Sequence, residues 1–492
     1  MKNVKRKMEN RKKVESRKAK GKKSRSLDGG PGIFGRASFA FFLLAFVLVS
    51  IHAQQPKETP PAGGQPKPFV FPATDDFTLP NGMKVTLVQY GSVPKVAFQA
   101  VVYSGTKDDA AGKKAVSETT GLMLKEGTKT RTAEQIALDA AKMGGSLNVG
   151  VGTDSTNISG EVLSEFDVKF LELLADVMLN PNFQQADLDR LKASKLRQLA
   201  VARTQAGNQA WEKFRSIVFS GHPYAQLNPT DEEVTSYTLD DIRNFYAKNY
   251  GAARTHLYVV GQFDTAALKA AINKAFASYP KGTPSSRNIP KINAKRSLTS
   301  IDRPGAPQST IYLGMPAPAQ TDPDFVKFVV MDSILGGSFG SRITSNIREN
   351  KGYTYSPGSF VWNRFKTGYW IESADVTTEH TGNSIKEILY EINRLRAEPV
   401  SAAELQGIKN YMAGLYVLQN STRFGVIGQL ESMHYNELDK SSIDNYVKNV
   451  LAVTADDVKA MANKYLTDDK MTIVVVGDLS KVDAQIKPYD VQ

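Results

Sequence analysis

Residues 238–261, TLDDIRNFYAKNYGAARTHLYVVG, and residues 454–477, TADDVKAMANKYLTDDKMTIVVVG, carry one pattern twice. Each copy opens on a threonine, Thr238 or Thr454, suited to cap a helix, with acids in the first turn where the helix dipole favours negative charge. A helical stretch follows, then a β-branched strand ending at glycine, Leu257–Gly261 in one copy and Ile473–Gly477 in the other. The offset is the same at both ends of the pair. Two homologous lobes of about 200 residues each explain it, whereas a single doubly wound domain does not.

Each lobe mixes strands and helices. Asn81-Gly82 between Phe77-Thr78-Leu79 and Lys84–Val88 predicts a hairpin, and Val96–Tyr103 predicts a further strand. Helical periodicity runs through Phe166–Met178, Leu188–Thr204, Ser384–Leu395 and Ala403–Leu418. The expected fold class is α+β, with two homologous lobes, each an antiparallel-rich sheet packed against helices. The stretch PKGTPSSRNIPK within Tyr279–Ser297 supplies the inter-lobe linker, set at 281–297, so the lobes span 75–280 and 298–492.

The chain has 492 residues, 41% of them hydrophobic, enough for more than one buried core. Its net charge of +12 is localised: residues 1–36 hold 14 Lys and Arg against three acids, which leaves the remainder near neutral. A body without a basic excess gives no electrostatic footprint for nucleic acid, and none is expected as a partner. Ala37–Ile51 is apolar but shorter than the roughly 20 residues of a spanning helix. With basic residues before it and Ala53 after it, residues 1–53 read as an export signal with a long basic leader. Residues 54–74, rich in Pro, Gly and Lys, read as a tether. The expected location is the periplasm or cell envelope, with inner-membrane anchoring by residues 37–53 if the signal is not cut. Cysteine is absent, which excludes disulfides, thiolate metal sites and a Cys nucleophile.

The order of landmarks resembles the pitrilysin/insulinase family of zinc peptidases, the inverzincins, from Phe77 to the C-terminus. Leu79-Pro80-Asn81-Gly82-Met83-Lys84-Val85 is similar to the family's opening hairpin, and Glu126-Gly127-Thr128 to the end of its first long helix. Met143–Asn148 and Leu179–Phe183 in the first lobe are further landmarks, as are Leu335–Phe339, Ser341-Arg342, Arg348 and Tyr355 in the second. The resemblance implies a metallohydrolase-like α/β sandwich in each lobe. Active members carry HxxEH on the first helix, two imidazoles on one face for Zn²⁺ and a Glu to take a proton from the bound water, with an acidic third ligand later. Here Glu118, Gly121 and Leu122 stand at those positions, and Lys192–Arg197 (KASKLR) offers cations where the third ligand is expected. The five histidines, His52, His222, His256, His380 and His434, are never three or four residues apart. No metal or other cofactor is expected on this chain.

The family's second lobe contributes an Arg and a Tyr seven residues apart to the substrate carbonyl, a spacing kept by Arg348 and Tyr355. Gly336 and Gly337 stand where the non-catalytic subunit of the mitochondrial processing peptidase has a longer glycine-rich loop for substrate handling. Gly144 and Gly145 lead into a strand whose edge, in the family, adds an extended peptide. The resemblance therefore implies a non-catalytic subunit that forms a heterodimer with a homologous HxxEH partner. The partner would hold the zinc, Arg348 and Tyr355 would be catalytic residues supplied to its site, and the four glycines would bind an unfolded peptide or small protein. The alternative is a pseudoenzyme acting as a scaffold or peptide-binding protein of a cell-envelope complex. The bland readings of the same residues are an ion-pairing Arg348, a half-buried strand Tyr355, a helix cap and tight turn at Gly336 and Gly337, a plain strand start after Gly144 and Gly145, a solvated Glu118 and a structural His222.

Overall fold

Both threonines cap as their spacing demands. Thr238 Oγ1 accepts from Asp241 N at 3.2 Å and the Asp241 carboxylate accepts from Thr238 N at 2.9 Å; Thr454 and Asp457 repeat this at 3.1 and 3.0 Å. The helices so started, Leu239–Asn249 and Ala455–Tyr465, each lead into an interior strand of a sheet. The computed structural model describes residues 70–225 and 228–490. The expected export signal at 1–53 and the expected tether as far as residue 69 lie outside the described residues. Within the last residues of the tether Phe71 is buried, packed beside Tyr258 and Val426.

The strands are β1 (Asp75–Thr78), β2 (Lys84–Gln89), β3 (Lys95–Val102), β4 (Asn148–Val151), β5 (Thr156–Leu163) and β6 (Thr255–Gly261) in the first lobe. The second lobe has β7 (Ser297–Asp302), β8 (Gln308–Ala317), β9 (Gly358–Arg364), β10 (Thr367–Thr377) and β11 (Thr472–Gly477). The sheets run β1-β2-β6-β3-β5-β4 and β7-β11-β8-β10-β9. Apart from the extra edge strand β1, the first order becomes the second when every number is raised by five, so the duplication legible in two short stretches extends to the whole topology. Pairing is antiparallel except at β2–β6 and β7–β11, which are parallel in both lobes. The predicted hairpin forms between β1 and β2, with Gly82 at φ +94° in its turn.

Each sheet buries one face against its own lobe's helices and the other against a helix from the opposite lobe. Ala210, Phe214 and Val218, on the helix Ala206–Val218 of the first lobe, pack on Tyr369, Ile371, Val474 and Val476 of the second sheet. Val426, Ile427, Leu430 and Met433, on the helix Arg423–Asn436 of the second lobe, pack on Val88, Ala97, Val101, Tyr258 and Val260 of the first. This exchange explains why β6 and β11 are buried at every position. A strand covered on both faces loses polar alternation and reads as a continuous apolar run. Polar contacts fix the junction: Arg423 donates to Glu161 (2.7 Å) and to the carbonyls of Lys95 (3.0 Å) and Val93 (2.8 Å), and Arg364 Nε lies 3.4 Å from Asp154.

Candidate functional site

The first helix after β3 is Val116–Met123. Its start is held by Asp109, whose carboxylate accepts from Ala115 N (2.7 Å), Ser117 N (2.8 Å) and Ser117 Oγ (3.1 Å). Glu118 points outward and is not merely solvated: Lys195 Nζ donates to it at 2.6 Å. Lys195 belongs to Gln185–Thr204, the helix on which the family resemblance places an acidic ligand. A cation thus joins the two helices at the place where an active relative would hold a metal between them. Lys192, one turn earlier, donates to the carbonyls of Thr235 (2.6 Å) and Tyr237 (3.0 Å).

Gly121 faces the sheet. A Cβ built on it would lie 2.3 Å from Val151 Cγ2 and under 4 Å from Val149 and Thr156, so β4 and β5 occupy the space a longer side chain would need. Among the described residues no three His, Cys, Asp or Glu side chains converge on one point. His222 is structural, with Nδ1 accepting from Tyr224 N at 3.2 Å and Nε2 3.2 Å from the Asn288 carbonyl. The residues present at the first helix do not fit a zinc ion.

The counterpart helix after β8, Phe325–Leu335, ends at Gly336. Its last turn carries Asp332, buried and bonded by Ser359 Oγ and by Trp370 Nε1 (2.7 Å). Beside it Glu372 is fully buried, its carboxylate oxygens without a hydrogen-bond partner among the described residues, and burial together with the neighbouring Asp332 pushes its carboxyl well above the usual range. Burial likewise raises Asp332 to about 6, against the two bonds it accepts. Gly336 and Gly337 lie against this acid pair. A Cβ on Gly336 would come within 2.6 Å of Glu372 Oε2, and one on Gly337 within 2.6 Å of Asp332 Oδ2. Gly144 and Gly145 close the helix Ala133–Lys142, the first at φ +77° and the second with its would-be Cβ 2.0 Å from the Glu161 carbonyl oxygen. The four glycines therefore have conformational duties: they shape the approach to β4, an edge strand, and the loop that carries Phe339.

That loop brings a second aromatic ring to the Arg–Tyr pair. Arg348 lies in the wide helical turn Thr344–Asn350, its guanidinium 4.5 Å from the Phe339 ring centre and 4.8 Å from the Tyr355 ring centre. Phe339 is 72% exposed and Tyr355 79% exposed. Tyr355 is thus not a half-buried strand residue; it sits in a bend between the Thr354–Val376 bridge and β9. The ion-pairing reading of Arg348 holds in part, since Nε lies 3.1 Å from Glu349. The family resemblance pointed to the pair but not to Phe339 as its neighbour, because a lone exposed Phe in a glycine loop has no signature until the fold places it over the guanidinium.

A duplicated lobe of this topology, with an occluded first-helix site in one lobe and an exposed Arg–Tyr pair in the other, defines a peptidase-type architecture. The chain belongs to the insulinase (M16) peptidase family: residues 85–227 match the model for insulinase, peptidase family M16, and residues 236–412 match that for the peptidase M16 inactive domain. It is 24% identical over 402 residues to an uncharacterized zinc protease of Rickettsia bellii, covering 81% of this chain and 96% of that one. It is 22% identical to a probable mitochondrial-processing peptidase subunit beta of Arabidopsis thaliana, covering 83% and 79%. A crystal structure of a peptidase M16 inactive domain from Pseudomonas fluorescens is similar with a TM-score of 0.76 at 26% identity, over 82% of this chain and 98% of that one. A chain of complex III2 from Candida albicans shares the fold, with a TM-score of 0.70 at 16% identity, over 85% and 100%.

Proposed function

We propose that this chain is the non-catalytic subunit of a heterodimeric zinc peptidase, acting with an HxxEH-bearing homologue in the periplasm or cell envelope. The observation that carries this reading is the contrast between its lobes. Where active relatives hold zinc, Val151 fills the space over Gly121 and Lys195 neutralises Glu118, while Arg348 and Tyr355 stand together and exposed. An exposed cation and phenol with no substrate site of their own fit a role in another subunit's site. The zinc belongs to the partner; this chain's guanidinium and phenol O–H donate to the peptide carbonyl oxygen as negative charge develops on it. The edge of β4 pairs with the extended substrate main chain.

Co-expression with an exported HxxEH homologue tests this. The mixture should cleave an unfolded polypeptide in a zinc-dependent way, and Arg348→Ala or Tyr355→Phe should lower kcat by about 10² to 10³, the worth of one oxyanion donor. A mixture without activity, or one indifferent to both substitutions, ends the proposal.

The alternative, a scaffold or peptide-binding protein without chemistry, is favoured by one surface. The helix Ala402–Gln419 exposes Tyr411, Leu415 and Leu418 along one side. Recovery of the chain in a stable envelope complex that contains no HxxEH protein would decide for it.

A further inference from the structure

At the junction of the lobes lies a cavity of about 440 Å³, within the range of small-molecule sites. Its walls bear three permanent cations, Lys84, Arg254 and Arg287, against one carboxylate, Glu437. Arg287, from the stretch between the lobes, is boxed by aromatic rings: Phe365 at 4.9 Å and Tyr103 and Tyr435 at 5.3 Å from its guanidinium. Its Nη1 donates to the Tyr435 carbonyl (2.9 Å) and lies 3.4 Å from Glu437, which leaves Nε and Nη2 without an acceptor among the described residues. Glu437 is also held by Lys366 at 3.1 Å. Lys84, exposed at the start of β2, has no acidic partner among the described residues. Arg254 is saturated by Thr283 and Asn249 and supplies field rather than contacts.

A one-way hydrogen-bond chain ends in the same cavity. Thr86 Oγ1 donates to Asp76 at 2.5 Å, so it accepts from His256 Nε2 at 2.9 Å; His256 Nδ1 then accepts from Tyr258 O–H at 3.1 Å. Tyr258, having spent its proton, accepts from His434 Nδ1 at 3.1 Å. This fixes the tautomer of His434: the hydrogen stays on Nδ1 and Nε2 carries the lone pair. Burial holds His434 below the ordinary histidine value, with Asp76 opposing and Lys84 adding to the shift.

We propose that this cavity binds a small organic oxyanion, a carboxylate or phosphate on an apolar stem, with Lys84, Arg287 and the Nε2 of His434 as donors and the rings of Tyr103 and Phe365 as walls for the stem. Donation from Nε2 requires His434 to take up a proton there, because Nδ1 is committed to Tyr258. Binding therefore tightens as the pH falls through the histidine range. The groups that set this response are Asp76, Lys84, His256, Tyr258, Arg287 and Glu437.

Calorimetric titration of the purified chain with phenyl phosphate, phenylacetate and the neutral benzyl alcohol tests the site. At least one anion should bind and the alcohol should not, and the tighter anion identifies the headgroup. Lys84→Gln, an exposed change that leaves the fold intact, should weaken binding about tenfold, the worth of one charged hydrogen bond. With phenylacetate, whose carboxyl stays ionised there, His434→Gln should flatten the pH dependence below the ordinary histidine value of about 6.5. Failure of both anions to bind, equal binding of the alcohol, or unchanged affinity in Lys84→Gln overturns the assignment.

Discussion

Replacing Gly121 by alanine pits two effects of known size against each other. In a helix interior the change should stabilise by about 1 kcal/mol, because alanine loses less backbone freedom than glycine. Here the new Cβ would lie 2.3 Å from Val151 Cγ2, where carbon atoms prefer about 3.5–4.0 Å. Val151 cannot swing aside freely, being β-branched and stiff at χ1. Nor is β4 free to slide, since Val151 pairs with Thr156 and Gly150 with Asn157 in β5. Overpacking of this kind costs about 1–3 kcal/mol, so Gly121→Ala should be neutral to destabilising by about 2 kcal/mol. In the double variant with Val151→Ala the clash is gone and the helix gain remains. A urea-unfolding cycle on wild type, both single variants and the double variant should give a favourable coupling of about 1–3 kcal/mol, above the roughly 0.5 kcal/mol scatter of additivity. If Gly121→Ala alone stabilises by about 1 kcal/mol and the coupling vanishes, β4 does not press on this helix and the account of the filled metal position is wrong. The same crowding predicts that Glu118→His, Gly121→Glu and Leu122→His combined will not take up one equivalent of zinc by metal analysis; stoichiometric uptake would contradict it.

Phe214, fully buried against Tyr369 across the lobe junction, should cost about 3–5 kcal/mol when changed to alanine, read as a lower urea midpoint; a loss under about 1 kcal/mol would mean that the exchanged helix contributes little. Lys195→Met, which leaves Glu118 one-third exposed and unpaired, should cost no more than about 1 kcal/mol, and a much larger loss would show that the ion pair is more shielded than its exposure indicates. The acid pair Asp332 and Glu372 has raised folded-state values, so the folded chain keeps protons that the unfolded chain releases. Stability from this pair is full below about pH 4 and is lost as the pH rises through about 6 and beyond. Glu372→Gln should flatten that decline in pH-dependent thermal unfolding, and identical wild-type and variant slopes would show that the pair is not proton-linked.

Much of this was legible before any tertiary contact was known. The two threonine-capped stretches and their equal offset exposed the duplication, because capping and strand propensity act over a few residues and leave local marks. The long apolar runs at β6 and β11 announced strands, and the resemblance to the peptidase family pointed to Arg348 and Tyr355. The absence of paired histidines, with cations at Lys192–Arg197 where the family resemblance places an acidic ligand, raised the expectation of no metal on this chain.

What only the tertiary structure decided concerns groups distant in the chain. The partner of Glu118 is 77 residues away at Lys195, the filling over Gly121 comes from Val151, and the ring over Arg348 is Phe339. The cover over each sheet comes from the other lobe, which no pattern in either helix could specify: an apolar stripe states that it must be buried but not against what. The oxyanion cavity draws Lys84, Arg287 and His434 from across the chain. Such sites arise from long-range packing, in which the residues are individually ordinary and only their meeting point is informative.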